Sequence, residues 1–188
     1  MNKLIINNQQ LNGLVSKLCR DIIISGWQPD YIVGLTRGGL IPAVMISHYL
    51  NIPMYPLSVS LRDSETGPES NLWMAQDALG HTDKTIDPML DDPMSLLQEG
   101  RVKDILIVDD INDTGATFNW IMQDWPSGCF PNDPAWENEV WNQNVKFAVL
   151  VDNLASKCTA NMDYVGMEVN KAENNVWVDF PWEDWWTK

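Results

Sequence analysis

Positive charge is scarce in this chain. Its 188 residues carry 12 Lys and Arg against 26 Asp and Glu, for a formal net charge of -14. Contacts to nucleic-acid phosphates need clustered Lys and Arg, so a nucleic acid is excluded from the expected partners. Cysteine is scarce as well. Cys19, Cys129 and Cys158 are an odd number without C-x-x-C spacing, which indicates neither a disulfide framework nor a zinc site. The two histidines, His48 and His81, read as a helix-surface residue and a loop residue rather than as catalytic groups. No stretch approaches the roughly 20 apolar residues that cross a bilayer, so no membrane partner is expected. The opening MNKLIINNQQ lacks the apolar core of a signal peptide. One domain over residues 1–188, in a reducing cytoplasm, is the expectation.

What the chain does have is short apolar runs separated by turns. Leu11, Leu14, Val15, Leu18, Ile22 and Ile23 recur at helical spacing up to Gly26 and predict an amphipathic first helix. Residues 31–35 (YIVGL) predict a buried strand. Residues 38–50 then predict a turn into a helix, with Val44, Met45 and Tyr49 available for packing, and residues 51–60 a further strand. After the apolar run that begins at Ile105, residues 114–122 predict a helix, and residues 146–151 (KFAVLV) and 164–169 two more strands. Strands alternating with helices give an α/β fold with a central, mostly parallel sheet flanked by helices. Residues 62–100 are turn-rich and polar and read as one long loop. Residues 125–144, rich in Pro, Asn and Trp, read as an insertion with at most a short helix around 136–141.

Two stretches carry chemistry. Residues 105–117 read ILIVDDINDTGAT, an apolar strand that ends in two carboxylates and a short turn. In open α/β sheets, ligands bind just outside the carboxyl ends of strands. Thr114, Gly115 and Thr117 supply hydroxyl and backbone N–H donors at the start of the next helix, a setting that holds phosphate. Asp109 and Asp110 can accept hydrogen bonds from sugar hydroxyls or hold Mg2+. A phosphorylated sugar satisfies both halves. The second stretch is residues 34–43, GLTRGGLIPA, in which glycines permit close backbone approach and Arg37 can pair with a phosphate or diphosphate. Alone it reads equally well as a tight connection; together the two stretches are far more specific.

The 105–117 stretch resembles the motif by which type I phosphoribosyltransferases bind 5-phosphoribosyl 1-diphosphate (PRPP). The 34–43 stretch resembles the pyrophosphate loop of the 6-oxopurine members, especially the xanthine-guanine type. The closing VWVDFPWEDWW resembles the W-I-x-x-P-W segment of their base-binding hood. The resemblance implies a type I phosphoribosyltransferase-like fold with a small C-terminal hood over residues 171–188. It also implies Mg2+-dependent transfer of 5-phosphoribosyl from PRPP to guanine, xanthine or hypoxanthine, giving the nucleoside 5'-monophosphate and diphosphate. The PRPP-binding residues it implies are Thr36, Arg37, Gly38, Asp109, Asp110, Asp113, Thr114, Gly115, Ala116 and Thr117, with Asp109 and Asp110 also at the metal. Arg37 and Asp113 are the implied catalytic pair, the first on the diphosphate and the second as general base. Trp177 would stack on the base, Val178 would offer backbone groups to its edge, and Asp179 would lie nearby. A cis peptide between Thr36 and Arg37, a flexible catalytic loop within residues 60–100, and a homodimer or homotetramer are implied too.

Asp113 has a second reading as a helix N-cap before Thr114. Trp182, Trp185 and Trp186 are expected to pack the tail onto the core or a neighbouring subunit. The chain departs from the family at one place. The lysine that usually follows the FAVLV-type strand is replaced by Asp152 or Asn153. Asn153 can still donate to a 6-oxo group, and Lys157 lies one helical turn further on. The alternatives are a non-catalytic PRPP-sensing regulator, or a phosphoribosyltransferase for another base. Retention of Arg37 and Asp113 favours the enzyme.

Overall fold

The computed structural model of the chain describes residues 2–59, 72–81 and 101–187. A short strand, β1 (Asn2–Ile5), leads into helix α1 (Asn8–Ser25). The start of α1 is fixed by a reciprocal cap. The Gln10 N–H donates to the Asn7 side chain and the Asn7 N–H to the Gln10 side chain, each at 2.9 Å. Its end is fixed by Gly26, whose φ of 70° is open to glycine at little cost. Leu11, Val15, Leu18 and Ile22 fall on one stripe and are buried, as their spacing predicts.

The chain then alternates strand and helix: β2 (Tyr31–Leu35), α2 (Leu40–Leu50), β3 (Met54–Leu57), α3 (Leu72–Leu79), β4 (Ile105–Asn112), α4 (Ala116–Gly128), β5 (Val145–Asn153) and β6 (Tyr164–Val169). The five strands β2 to β6 form one sheet in the order β3-β2-β4-β5-β6, with every neighbouring pair parallel. This is the predicted α/β architecture. Alternate residues of β4 and β5 enter two separate cores. Leu106, Val108, Ala148 and Leu150 meet α1 and α2, whereas Ile105, Ile107, Phe147 and Val149 meet α3 and α4. Burial on both faces is why these strands read as unbroken apolar runs.

Four expectations are corrected. Val44 and Tyr49 are exposed, and α2 buries Pro42, Ala43 and Ile46 instead; the helix is apolar on both sides, so periodicity could not choose its inward face. Residues 72–79, read as loop, form α3 and bury Met74, Ala75, Asp77 and Ala78. The rest of the long loop, and with it the expected flexible catalytic loop, lies outside the described residues. Within residues 125–144 the expected short helix is present at Trp136–Val140, but the helix expected over 114–122 extends into this segment. Helix α4 runs on to Gly128, and a π-helical turn at Trp136–Val140 sends Trp136 and Trp141 into the core. Trp141 lies with ring centroids 5.8 Å from Trp125, 5.4 Å from Trp136 and 6.0 Å from Phe147. Fourth, β1 is a strand that the sequence did not announce. It pairs in parallel with β7 (Val176–Asp179), Lys3 opposite Trp177 and Leu4 opposite Val178. The hood is therefore built from both ends of the described chain. Among the described residues, no helix is long and apolar enough to cross a membrane.

Candidate functional site

The pairing of β2 with β4 sets Gly34 opposite Val108. That register brings the loop after β2 against the carboxyl half of β4, and the two interlock. A Cβ on Gly38 would fall on the carboxylate of Asp110, and one on Gly39 would lie 2.5 Å from the Val108 carbonyl oxygen. Only glycine fits this approach. The Thr36–Arg37 peptide is cis, as expected.

Strand β4 does not stop at Val108 but continues through both aspartates to Asn112. The Asp110 N–H donates to Asp109 Oδ1 at 2.9 Å. Both carboxyls keep some solvent contact through the mouth of the site, yet sit deep among surrounding atoms. Burial and the neighbouring Asp110 charge push Asp109 well above the usual carboxylate range, and burial pushes Asp110 up as well. The following turn places Asp113, Thr114 and Gly115 before α4. Gly115 has φ 83° and is the residue that caps the helix, so Asp113 is not its N-cap; the Thr114 hydroxyl oxygen accepts from the Ala116 N–H at 3.3 Å. A side chain on Gly115 would strike the backbone of Cys158. The segment after β5 braces this turn from outside. The Lys157 N–H donates to the Thr114 carbonyl at 3.1 Å, Asn119 Nδ2 to the Lys157 carbonyl at 2.9 Å, and Ser156 Oγ to Asn112 Oδ1 at 2.9 Å.

These parts enclose a cavity of about 700 Å³. Every predicted site residue except Asn153 and Asp179 lines it: Thr36, Arg37 and Gly38 from the first loop, Asp109, Asp110 and residues 113–117 from the second, and Trp177 and Val178 from the hood. Asn153 is buried, and its amide is engaged inward. Nδ2 donates to the Asp113 carbonyl at 2.8 Å, while Oδ1 accepts from the N–H groups of Ala155 at 3.2 Å and Lys171 at 3.0 Å. The expected base contact from Asn153 is corrected accordingly. Lys157 does not replace it either, because the segment after β5 is not helical and Lys157 is exposed outside the cavity. Asp179 is buried within the hood, with Lys3 Nζ 3.4 Å from its Oδ2.

The sequence reasoning missed Lys171. Its Nζ lies 2.8 Å from Asp113 Oδ1, its side chain is only 15% exposed, and it lines the cavity between the second loop and the hood. A signal was available: Lys171 is the sole Lys or Arg from residue 158 to residue 187 and precedes Trp177 by six positions. The tail tryptophans also divide. Trp182 lies parallel to Phe180, with centroids 4.8 Å apart and planes 5° apart, and both line the cavity, as does the more exposed Trp186. Trp182 packs the tail onto the core, as expected, and together with Trp186 it also lines the cavity.

Chemically, the cavity joins backbone N–H donors at a helix start, an arginine and a carboxylate pair on one side to flat apolar surface on the other. Among the described residues, no group of three or more acidic, His or Cys side chains forms a complete metal cage. Asp109 and Asp110 provide two adjacent carboxylates.

Comparison with protein families matches residues 3–185 to the phosphoribosyl transferase domain. Comparison with curated protein sequences gives no match. Among solved structures, the chain is similar to a purine phosphoribosyltransferase from Pyrococcus horikoshii Ot3, with 24% identity, a TM-score of 0.60, and coverage of 98% of this chain and 96% of that one. It is similar to a xanthine-guanine-hypoxanthine phosphoribosyltransferase from Helicobacter pylori, with 15% identity, a TM-score of 0.62 and coverage of 99% and 97%. It is also similar to a hypothetical protein from Neisseria gonorrhoeae with bound ppGpp, with 20% identity, a TM-score of 0.59 and coverage of 97% and 89%. At these identities the likeness establishes a shared fold.

Proposed function

The chain belongs to the phosphoribosyl transferase family, and on that premise we propose that it transfers the 5-phosphoribosyl group of PRPP to a 6-oxopurine base, releasing diphosphate. The observation that carries this reading is that Arg37, the 113–117 turn and Trp177 of the hood all line one cavity. An anion cradle and a flat apolar wall suit a substrate with phosphate at one end and a co-substrate that is a planar ring.

In this reading the N–H groups and hydroxyls of residues 114–117 hold the 5-phosphate, and Asp109 and Asp110 accept from the ribose hydroxyls. Arg37, with Thr36 and Gly38, holds the diphosphate. The carbon–oxygen bond to diphosphate breaks with its electron pair leaving on the diphosphate, and a bond forms between the anomeric carbon and a ring nitrogen of the base. Asp113 takes the ring proton. Positive charge grows on the ribose beside two carboxylates, and negative charge grows on the leaving group beside Arg37, so the site acts mainly by placement and electrostatics. The carboxylate pair also fits Mg2+. Burial raises both carboxyl values and the Asp110 charge raises that of Asp109 further, effects that a bound cation offsets, and Mg2+ is commonly held by one or two carboxylates with the remaining positions on water and substrate phosphates. When bound, Mg2+ supplies charge neutralisation to the diphosphate.

Trp177, 42% exposed on the cavity wall, offers its ring face for stacking. The exposed Ile41, Val44 and Tyr49 of α2 support a homo-oligomer, testable by sedimentation. The enzyme assay is diphosphate release from PRPP and Mg2+ with guanine, xanthine, hypoxanthine, adenine, uracil and orotate in separate reactions. Release with a 6-oxopurine is the expected result. PRPP binding without release by any base would put the sensing regulator in its place.

A further inference from the structure

Asn153 stands where the family resemblance places a base-recognising lysine, yet it does not line the cavity. It ties two other parts of the site together. Its Nδ2 holds the carbonyl of Asp113 and its Oδ1 holds the N–H of Lys171, at 2.8 and 3.0 Å. The backbones of these two residues are therefore fixed through one buried amide, and their side chains meet at 2.8 Å. We infer that the specificity-determining cation of this site is Lys171, delivered by the segment between β6 and β7, and that Asn153 is the positioning residue that sets Lys171 beside Asp113. This inference rests on the proposed transfer to a purine base and names the feature by which the base is chosen.

The geometry offers an ammonium donor and a carboxylate acceptor side by side on the cavity wall. A 6-oxopurine with its imidazole proton on N7 presents the complement, since O6 accepts and N7–H donates from adjacent positions on one edge. The ion pair need not break to bind it. An ammonium has three N–H bonds and a carboxylate two oxygens, so each group can keep its partner and still give one hydrogen bond to the base. A 6-amino group would instead turn N–H bonds toward the ammonium, and a ring lacking a 6-substituent would leave Lys171 without an acceptor. Both mismatches are costly where the cation is largely removed from water. At 15% exposure, Lys171 has little solvent to fall back on. The flanking tryptophan wall contributes stacking to any purine, so discrimination falls to the ion pair.

The test is steady-state kinetics of the wild-type protein, Lys171→Met, Lys171→Arg, Asn153→Ala and Asn153→Asp with PRPP and hypoxanthine, guanine, adenine or unsubstituted purine, together with PRPP binding followed directly. For Lys171→Met, KM for hypoxanthine rises at least tenfold and the preference for hypoxanthine over unsubstituted purine collapses, while PRPP affinity stays within about twofold. Lys171→Arg recovers part of that preference. Asn153→Ala moves the same preference in the same direction by a smaller factor. Asn153→Asp keeps an acceptor for the Lys171 N–H but sets a second acceptor against the Asp113 carbonyl, so the preference falls in this variant as well. If wild type uses a 6-oxopurine and Lys171→Met keeps the full preference, the assignment to Lys171 is overturned and the transferase reading survives. Should the Asn153 variants change only the melting temperature, the positioning role alone falls. If no base supports release in wild type, the transferase reading fails and this inference fails with it.

Discussion

The two walls of the cavity are assembled in different ways. The wall with Arg37, Asp109 and Asp110 comes from two short runs of consecutive residues at the ends of neighbouring strands, locked together where Gly38 meets Asp110. The opposite wall is gathered from separate places. Lys171 comes from the segment after β6, Trp177 and Val178 from β7 with β1 beside it, and Trp182 and Trp186 from the tail. A contiguous motif carries its own geometry, because strand register and turn shape place every member. A gathered wall takes its geometry from contacts between distant segments, such as Asn153 with Lys171 and Lys3 with Asp179. In the proposed transfer the first wall holds PRPP, and the second distinguishes one acceptor from another.

That division can be broken most forcefully at Asp113, which touches both sides. Asp113→Asn should lower kcat by roughly 10²–10⁴, the usual size of a general-base contribution, with PRPP affinity retained. Turnover at the wild-type rate would remove the base role. Gly39→Ala comes next. A methyl group driven onto the backbone of Val108 and Asp109 must part the two loops, and kcat/KM for PRPP should fall about 100-fold, as for displacements near 1 Å. Calorimetric PRPP binding that is unchanged would show the loops are not locked. Trp177→Ala acts on the gathered wall alone. Loss of about 1–3 kcal/mol of stacking should raise the base KM roughly tenfold or more and leave PRPP binding as it was.

The smallest effect concerns stability. Asp109 and Asp110 have raised carboxyl values in the folded state, so the folded chain holds protons that the unfolded chain has released. Their contribution to stability is greatest below the ordinary carboxylate value of 3.8 and is lost as pH rises through the raised folded-state values. Asp109→Asn removes one of the opposed charges. It should raise the melting temperature of the unliganded protein at neutral pH by about 2–4 °C, what about 1 kcal/mol gives for a chain this long, while weakening PRPP binding. Thermal melts from pH 4 to 8 should also show a shallower decline for the variant. A lower melting temperature at pH 7 would mean the pair is already compensated.

The same division decides what could be read from the sequence. Strands β2 and β4 were plain because both faces are buried, and the 105–117 motif because its chemistry is consecutive. Asn153 was located at the right place but given the wrong task, since nothing in the sequence says which way a buried amide turns. Lys171 was overlooked because its approach to Asp113 depends on the segment between β6 and β7. Helix α3 is only eight residues in turn-rich surroundings. Strand β1 is four residues whose partner begins at Val176, and the Pro- and Asn-rich setting of residues 125–144 gives no apolar period to show that Trp125, Trp136 and Trp141 are buried.

The ten tryptophans consequently form optically distinct populations. Trp125, Trp136 and Trp141 are buried and close enough for their indole transitions to couple, a near-ultraviolet dichroism signal that persists only while the core is assembled. Trp177, Trp182 and Trp186 border the cavity, where an arriving purine ring would quench their emission. A single sample can thus report occupancy through fluorescence intensity and folding through dichroism, without a label on either the protein or the base.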